Sequence, residues 1–153
     1  MRLASRYHSV MPATANRFLL AAAALNAVAA LLHLGCIVFG TPWYRALGAG
    51  EAMARLAAAG HPRPTLFALA VASVLLVWAC YALSGAGAMR RLPLLKPVLC
   101  AISAIYLLRG LGFVVLQPFF PGNSLTFWLI SSGVCLLFGL VHLIGLRQRW
   151  RWI

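Results

Sequence analysis

The residues able to do chemistry in this chain are few and widely separated. Glu51 is the sole acidic side chain among 153 residues, against 13 arginines and lysines and four histidines. General acid–base catalysis wants a second titratable group within reach of the first, and proton-coupled transport wants an intramembrane carboxylate. The sequence supplies neither, so an enzymatic reading lacks a partner for its best acid–base candidate, His33. His142 does not provide one. Helix rise places it ~17 Å below His33, too far for both to ligate one haem iron. A zinc site needs more His, Cys or carboxylate ligands than gather at any one height, and no cofactor is expected.

Arg109 most needs a partner. It lies within the third of four long apolar runs, 18–40, 65–89, 97–116 and 125–146, each reaching the ~20 residues that cross a ~30 Å hydrocarbon layer. A guanidinium inside such a layer costs at least ~2.5–3.5 kcal/mol and therefore faces a partner or a wet cavity. Counted from the ends of the runs, His33 stands ~22 Å up the first and Arg109 ~18 Å up the third, with Ser131 and Ser132 ~9–10 Å down from the opposite face. These heights allow an outward-facing candidate site of His33, Arg109, Glu51, Ser132, Tyr44 and Arg45, with Asn26 one or two turns below. In one reading Glu51 folds onto Arg109 and clamps a surface helix to the spans. Loss of one member of such a pair costs ~3–5 kcal/mol, which alone would justify the residues. In the second, Arg109 offers its charge to an anionic ligand or lipid head group. In the third, it snorkels to the outer interface.

The elements that must position these residues follow from composition. The chain is 63% hydrophobic and 9% charged, far from the roughly one-quarter charged residues of a soluble domain. An all-α, transmembrane four-helix bundle in a single membrane domain is expected. The net charge of +12 suggests nucleic acid until its distribution is read. Arg2, Arg6 and Arg17, then Arg90, Arg91 and Lys96, then Arg147, Arg149 and Arg151 fall on one side of four spans, and only Arg45, Arg55 and Arg63 on the other. This is the positive-inside pattern and predicts cytoplasmic N- and C-termini. The basic groups then meet membrane lipids, not nucleic acid. Arginine outnumbers lysine twelve to one, which hints at a GC-rich bacterial genome and an inner-membrane location.

Between the first two runs, positions 42–59 project Trp43, Ala46, Leu47, Met53, Ala54 and Ala57 on one arc and Tyr44, Arg45, Glu51 and Arg55 on the other. An amphipathic helix on the periplasmic surface is expected there, with Thr41 as its N-cap and Gly60, Pro62 and Pro64 as stop signals. Each run carries a seam of small or polar residues that should face inward. The seams are Asn26, Ala30, His33 and Ile37; Ser73, Val77, Cys80 and Ser84; Ile102, Tyr106, Arg109 and Gly110; and Ser132, Cys135, Gly139 and His142. The four cysteines fall one per run without a C-x-x-C pair and read as small apolar residues. The first run exceeds the ~7–15 apolar residues of a signal peptide and should be retained.

The stretch from His33-Leu34-Gly35 through Trp43-Tyr44-Arg45 to Gly48-Ala49-Gly50-Glu51, with Tyr81–Gly87 and Tyr106–Gly110, resembles a group of small bacterial four-helix integral membrane proteins usually labelled hypothetical. The resemblance implies a multi-pass inner-membrane protein and no activity. The small multidrug transporters share the four-helix format but carry an acidic residue in the first span, where this chain has Asn26 and His33. The expected function is a non-enzymatic accessory or lipid/small-anion-binding protein. The alternative is a small transporter, oligomeric because four short helices rarely enclose a pathway alone, and a homo-oligomer or a membrane-protein partner fits either. A transporter needs a wet cavity reaching past Asn26; an accessory protein leaves that half dry.

Overall fold

A computed structural model describes residues 14–119 and 123–153; the expectations for Arg2 and Arg6 lie outside these. The elements are all helical: α1 (Arg17–Phe39), α2 (Thr41–Ala46), α3 (Glu51–Ala58), α4 (Pro62–Ala86), α5 (Leu95–Leu111), α6 (Phe113–Leu116), a 3₁₀ turn (Gln117–Phe119) and α7 (Leu125–Arg149). Helices α1, α4 and α7, of 23, 25 and 25 residues, are long and apolar enough to cross a membrane. The chain is thus a multi-pass membrane protein. At 17 residues, α5 rises only ~25 Å before Gly112 interrupts the third run.

Local chemistry sets the ends. Asn16 caps α1 by accepting from the Leu19 N–H at 2.9 Å, and Ser124 caps α7 through the Phe127 N–H at 3.2 Å. Pro62 and Pro64, expected to stop the preceding helix, instead open α4. Proline suits a first turn, whose N–H groups have no intrahelical acceptor, and the His61 ring caps that turn from Arg63 N–H at 3.2 Å. Helix α4 closes at Gly87, which takes the left-handed φ of 83° that glycine adopts without strain. Ser84 then fastens the following turn, donating to the Arg90 carbonyl at 3.0 Å and accepting from the Leu92 N–H at 2.9 Å.

The amphipathic segment is two short helices rather than one. Gly48 and Gly50, with φ of 73° and 87°, break it between Ala46 and Glu51. The close approach of Gly48 to the Phe127 ring leaves no room for a side chain. Trp43 of α2 lies over Gly35 of α1 and stacks on Phe39 at 4.5 Å. Tyr44, Ala54 and Ala68 bury together with Cys36, which pins α2 and α3 to the end of the spans remote from the termini, here called the distal end.

The packing suits a hydrocarbon solvent. Many large residues point outward, among them Val28, Leu31, Leu66, Leu108 and Ile130. The interior combines alanine and glycine with a smaller set of large apolar residues, Leu19, Leu99, Ile102 and Phe138 among them, and a few polar groups. Helix α1 lies chiefly along α4 and α5 along α7, and the pairs meet through α1 and α7. The expected seams of the first, third and fourth runs face inward, but of the second only Ser84 does. Ser73, Val77 and Cys80 are exposed, and the buried stripe is Ala68, Ala72, Leu75, Ala79, Ala82 and Ala86. Without water to drive association, close backbone approach decides, and an alanine stripe permits it. The cysteines accordingly differ: Cys36 is buried, Cys80 exposed and the other two half-buried.

Helices α5 and α7 interlock reciprocally. A Cβ on Gly110 would stand 2.6 Å from Leu136 Cγ, and one on Gly139 would stand 2.8 Å from Leu107 Cγ. Gly110→Ala and Gly139→Ala should each destabilise by ~1–3 kcal/mol through overpacking. Gly133→Ala, whose Cβ meets nothing within 4 Å, should be neutral or gain up to ~1 kcal/mol of helix propensity. Thermal unfolding in detergent micelles separates the two outcomes.

Candidate functional site

The seven candidate residues divide into separate groups. Glu51, opening α3, takes both of its bonds from Arg45 of α2, from Nε at 2.9 Å and Nη2 at 2.8 Å. The expected clamp of Glu51 on Arg109 is therefore not formed. The glycine break folds α3 back onto α2, which puts a second guanidinium within reach of the carboxylate at the surface. Both side chains of the pair are about half exposed. The hydrogen bond from Arg45 holds the Glu51 carboxyl below its ordinary range and raises the Arg45 guanidinium.

Arg109 occupies the last turn of α5 and meets α7 instead. Its Nη2 donates to Ser131 Oγ at 3.3 Å, and its guanidinium carbon lies 4.8 Å from the centroid of the Trp128 ring, within cation–π range. Ser131 in turn donates to the Trp128 carbonyl at 3.3 Å. Nη1 of Arg109 is buried with no hydrogen-bond partner among the described residues, as is the hydroxyl of Ser132 one position further on. The depth count thus places Ser131 correctly beside Arg109.

His33 stays on its own helix, its Nδ1 bonded to the Ala29 carbonyl at 2.8 Å, and Tyr44 is buried among α1, α3 and α4. Asn26 belongs to neither cluster. Its carboxamide is fully buried, donating to the Ala22 carbonyl at 2.9 Å and to His142 Nε2 at 3.1 Å, while its oxygen accepts from the Tyr106 hydroxyl at 2.6 Å. His142 Nδ1 faces the Phe138 carbonyl at 2.8 Å. A carbonyl only accepts, so Nδ1 carries the hydrogen, Nε2 accepts, and the ring is neutral. Tyr106 also lies edge-on to Trp78 at 5.1 Å and near Phe138 at 5.3 Å. The network joins α1, α5 and α7 and engages both amide hydrogens of Asn26 and its carbonyl oxygen.

Sequence reasoning missed this triad, although height from the termini would find it. Asn26 lies ~14 Å up α1, His142 ~11 Å up α7 and Tyr106 ~17 Å up α5. The expected end of the fourth run at 146 falls short of Arg149 and set His142 too shallow. Arg149 was also missed. It is 4% exposed, and its Nη2 donates to the carbonyls of Thr14 at 2.7 Å and Ala86 at 2.9 Å, binding the entry of α1 and the end of α4 to the end of α7. Asn16 assists, donating to Gln148 Oε1 at 2.7 Å.

Among the described residues, no three of His, Cys, Asp and Glu gather as metal ligands. Comparison with family models, with curated proteins and with solved structures finds no match.

Two expectations follow. Asn26→Ala strands His142 Nε2 and the Tyr106 hydroxyl and should cost ~1–3 kcal/mol for each stranded group. The Asn26→Ala/Tyr106→Phe double variant should cost less than the sum of the single variants, as residues sharing one network do; chemical denaturation in detergent measures both. For the surface pair, the Glu51 pKa is lowered from 4.5 on folding. Its contribution is therefore complete above that value and fades as the pH falls through the lowered one. Melting curves of the wild type and Glu51→Gln should differ near neutral pH and converge in acid.

Proposed function

We propose that the protein is a non-enzymatic bacterial inner-membrane protein that holds an anionic lipid head group or small anion at Arg109. In this reading α5 joins α1, α4 and α7 as the third span of a four-helix bundle, both termini are cytoplasmic, and α2 and α3 lie on the periplasmic surface. The nine cations on the terminal side support that orientation.

One observation carries the binding assignment. Arg109 Nη1 is buried without an acceptor among the described residues, and the sole acidic side chain is taken by Arg45. A guanidinium offers five donors in a rigid fork matched to phosphate and carboxylate. Ser131 satisfies one of these donors and the Trp128 ring lies 4.8 Å from the guanidinium carbon. An external oxyanion would fill the remaining donors and neutralise a charge that is otherwise costly at that depth.

Transport fits less well. The Asn26, His142 and Tyr106 groups are buried at 0%, 0% and 8% exposure with bonds made to one another, which supports a closed interior at their height.

Native mass spectrometry of protein purified from membranes tests the assignment. Wild type and Arg45→Ala should carry one more bound anion than Arg109→Ala; equal occupancy in all three overturns it. In a variant with the native cysteines replaced by alanine, Ala30→Cys should resist a water-soluble maleimide. Rapid labelling would favour the transporter.

A further inference from the structure

A second binding surface lies at the opposite end from Arg109 and does not depend on it. Between α5 and α7, near the termini, runs a groove of about 430 Å³. Its walls are Ala104 and Leu107 of α5 and Leu143 and Leu146 of α7, with Cys100 toward the mouth. Ser103 also lines it, but its hydroxyl is spent on the Leu99 carbonyl at 2.8 Å, so the wall is effectively apolar. At the mouth stand Arg147 and Trp150. Lys96, from the first turn of α5, holds its ammonium 4.4 Å from the centroid of the Trp150 ring.

This combination discriminates. A slot lined by alanine and leucine accepts a hydrocarbon chain, but a purely apolar slot would take any lipid. Two cations flank the entrance, and no acidic side chain answers them, since Glu51 is bonded to Arg45 at the distal end. Trp150 is half exposed and sits at the height where indoles meet head groups. Basic pockets between spanning helices select anionic head groups in this way. We propose that the groove between α5 and α7 binds one anionic phospholipid, with an acyl chain along Ala104 and Leu143 and its phosphate between Lys96 and Arg147. The selectivity resides in the two charges and the occupancy in the slot.

The test uses full-length Arg109→Ala protein in detergent, so that the site at Arg109 makes no contribution, titrated separately with phosphatidylglycerol and phosphatidylcholine and read by native mass spectrometry. Phosphatidylglycerol should be retained in preference to phosphatidylcholine, and Lys96→Gln and Arg147→Gln should each reduce that preference by roughly fivefold, the effect of one basic residue at a membrane surface. Ala104→Trp, a change at an exposed position that fills the slot, should abolish retention of both lipids while leaving the melting temperature of the protein unchanged. Equal retention of the two lipids, or a preference unaltered by Lys96→Gln and by Arg147→Gln, overturns the proposal. So does full retention by Ala104→Trp.

Discussion

The carboxamide of Asn26 is the constraint on which the interior turns. In a membrane protein the surroundings of a buried polar group offer no water as a substitute partner, so its bonds are made within the protein or not at all. Asn26 makes all of its bonds: one to its own helix, one to α7 and one to α5. Each external bond tolerates only a few tenths of an ångström of slippage. A one-residue slide of any of the three helices, ~1.5 Å, would break it. Helix-to-helix register, which apolar packing against lipid leaves loosely defined, is thus set by an amide, a phenol and a neutral imidazole.

The remaining contacts are arranged around that fixed point. Helix α4 takes no part in the network. It is held along its length by the alanine stripe against α1 and at its end by Arg149 and Asn16, both bonded to the Ala86 carbonyl. A guanidinium spent on two main-chain carbonyls stitches three helices together where their backbone acceptors are no longer used within the helix. At the other end, Trp43 over Gly35 and Gly48 against Phe127 do the same by shape alone. The protein is therefore polar-locked near the termini and at mid-height, and sterically locked where α2 and α3 fold over it.

Much of this was legible in the sequence, and what was missed has physical causes. The apolar runs announced their helices because an 18-residue apolar stretch has few other uses. The seams of the first, third and fourth runs were readable because glycine, asparagine, histidine and tyrosine stand out against leucine. The second seam was misread because its inward residues are alanines, indistinguishable by polarity from their neighbours, whereas Ser73 and Cys80 drew attention and lie outside. The depth count put Ser131 and Ser132 level with Arg109, since one-dimensional height survives folding, but the serine that meets the guanidinium is Ser131 and not the candidate Ser132. It failed for Glu51, whose position depends on a glycine-hinged turn that periodicity cannot describe. Arg149 shows the limit of charge statistics: the same residue that signals orientation also serves as a buried bracket.

The interruption at Gly112 changes how Arg109 is to be understood. On an unbroken helix through 116 the guanidinium would project from mid-segment, ringed by backbone groups already bonded to one another. With α5 ending at Leu111, Arg109 belongs to the final turn, where unpaired carbonyls accumulate the negative pole of the helix macrodipole. A cation there gains ~0.3–1 kcal/mol from the peptide backbone itself. Shortening the helix thus partly offsets the cost of the charge, and the lost length and the tolerated arginine are two aspects of one glycine.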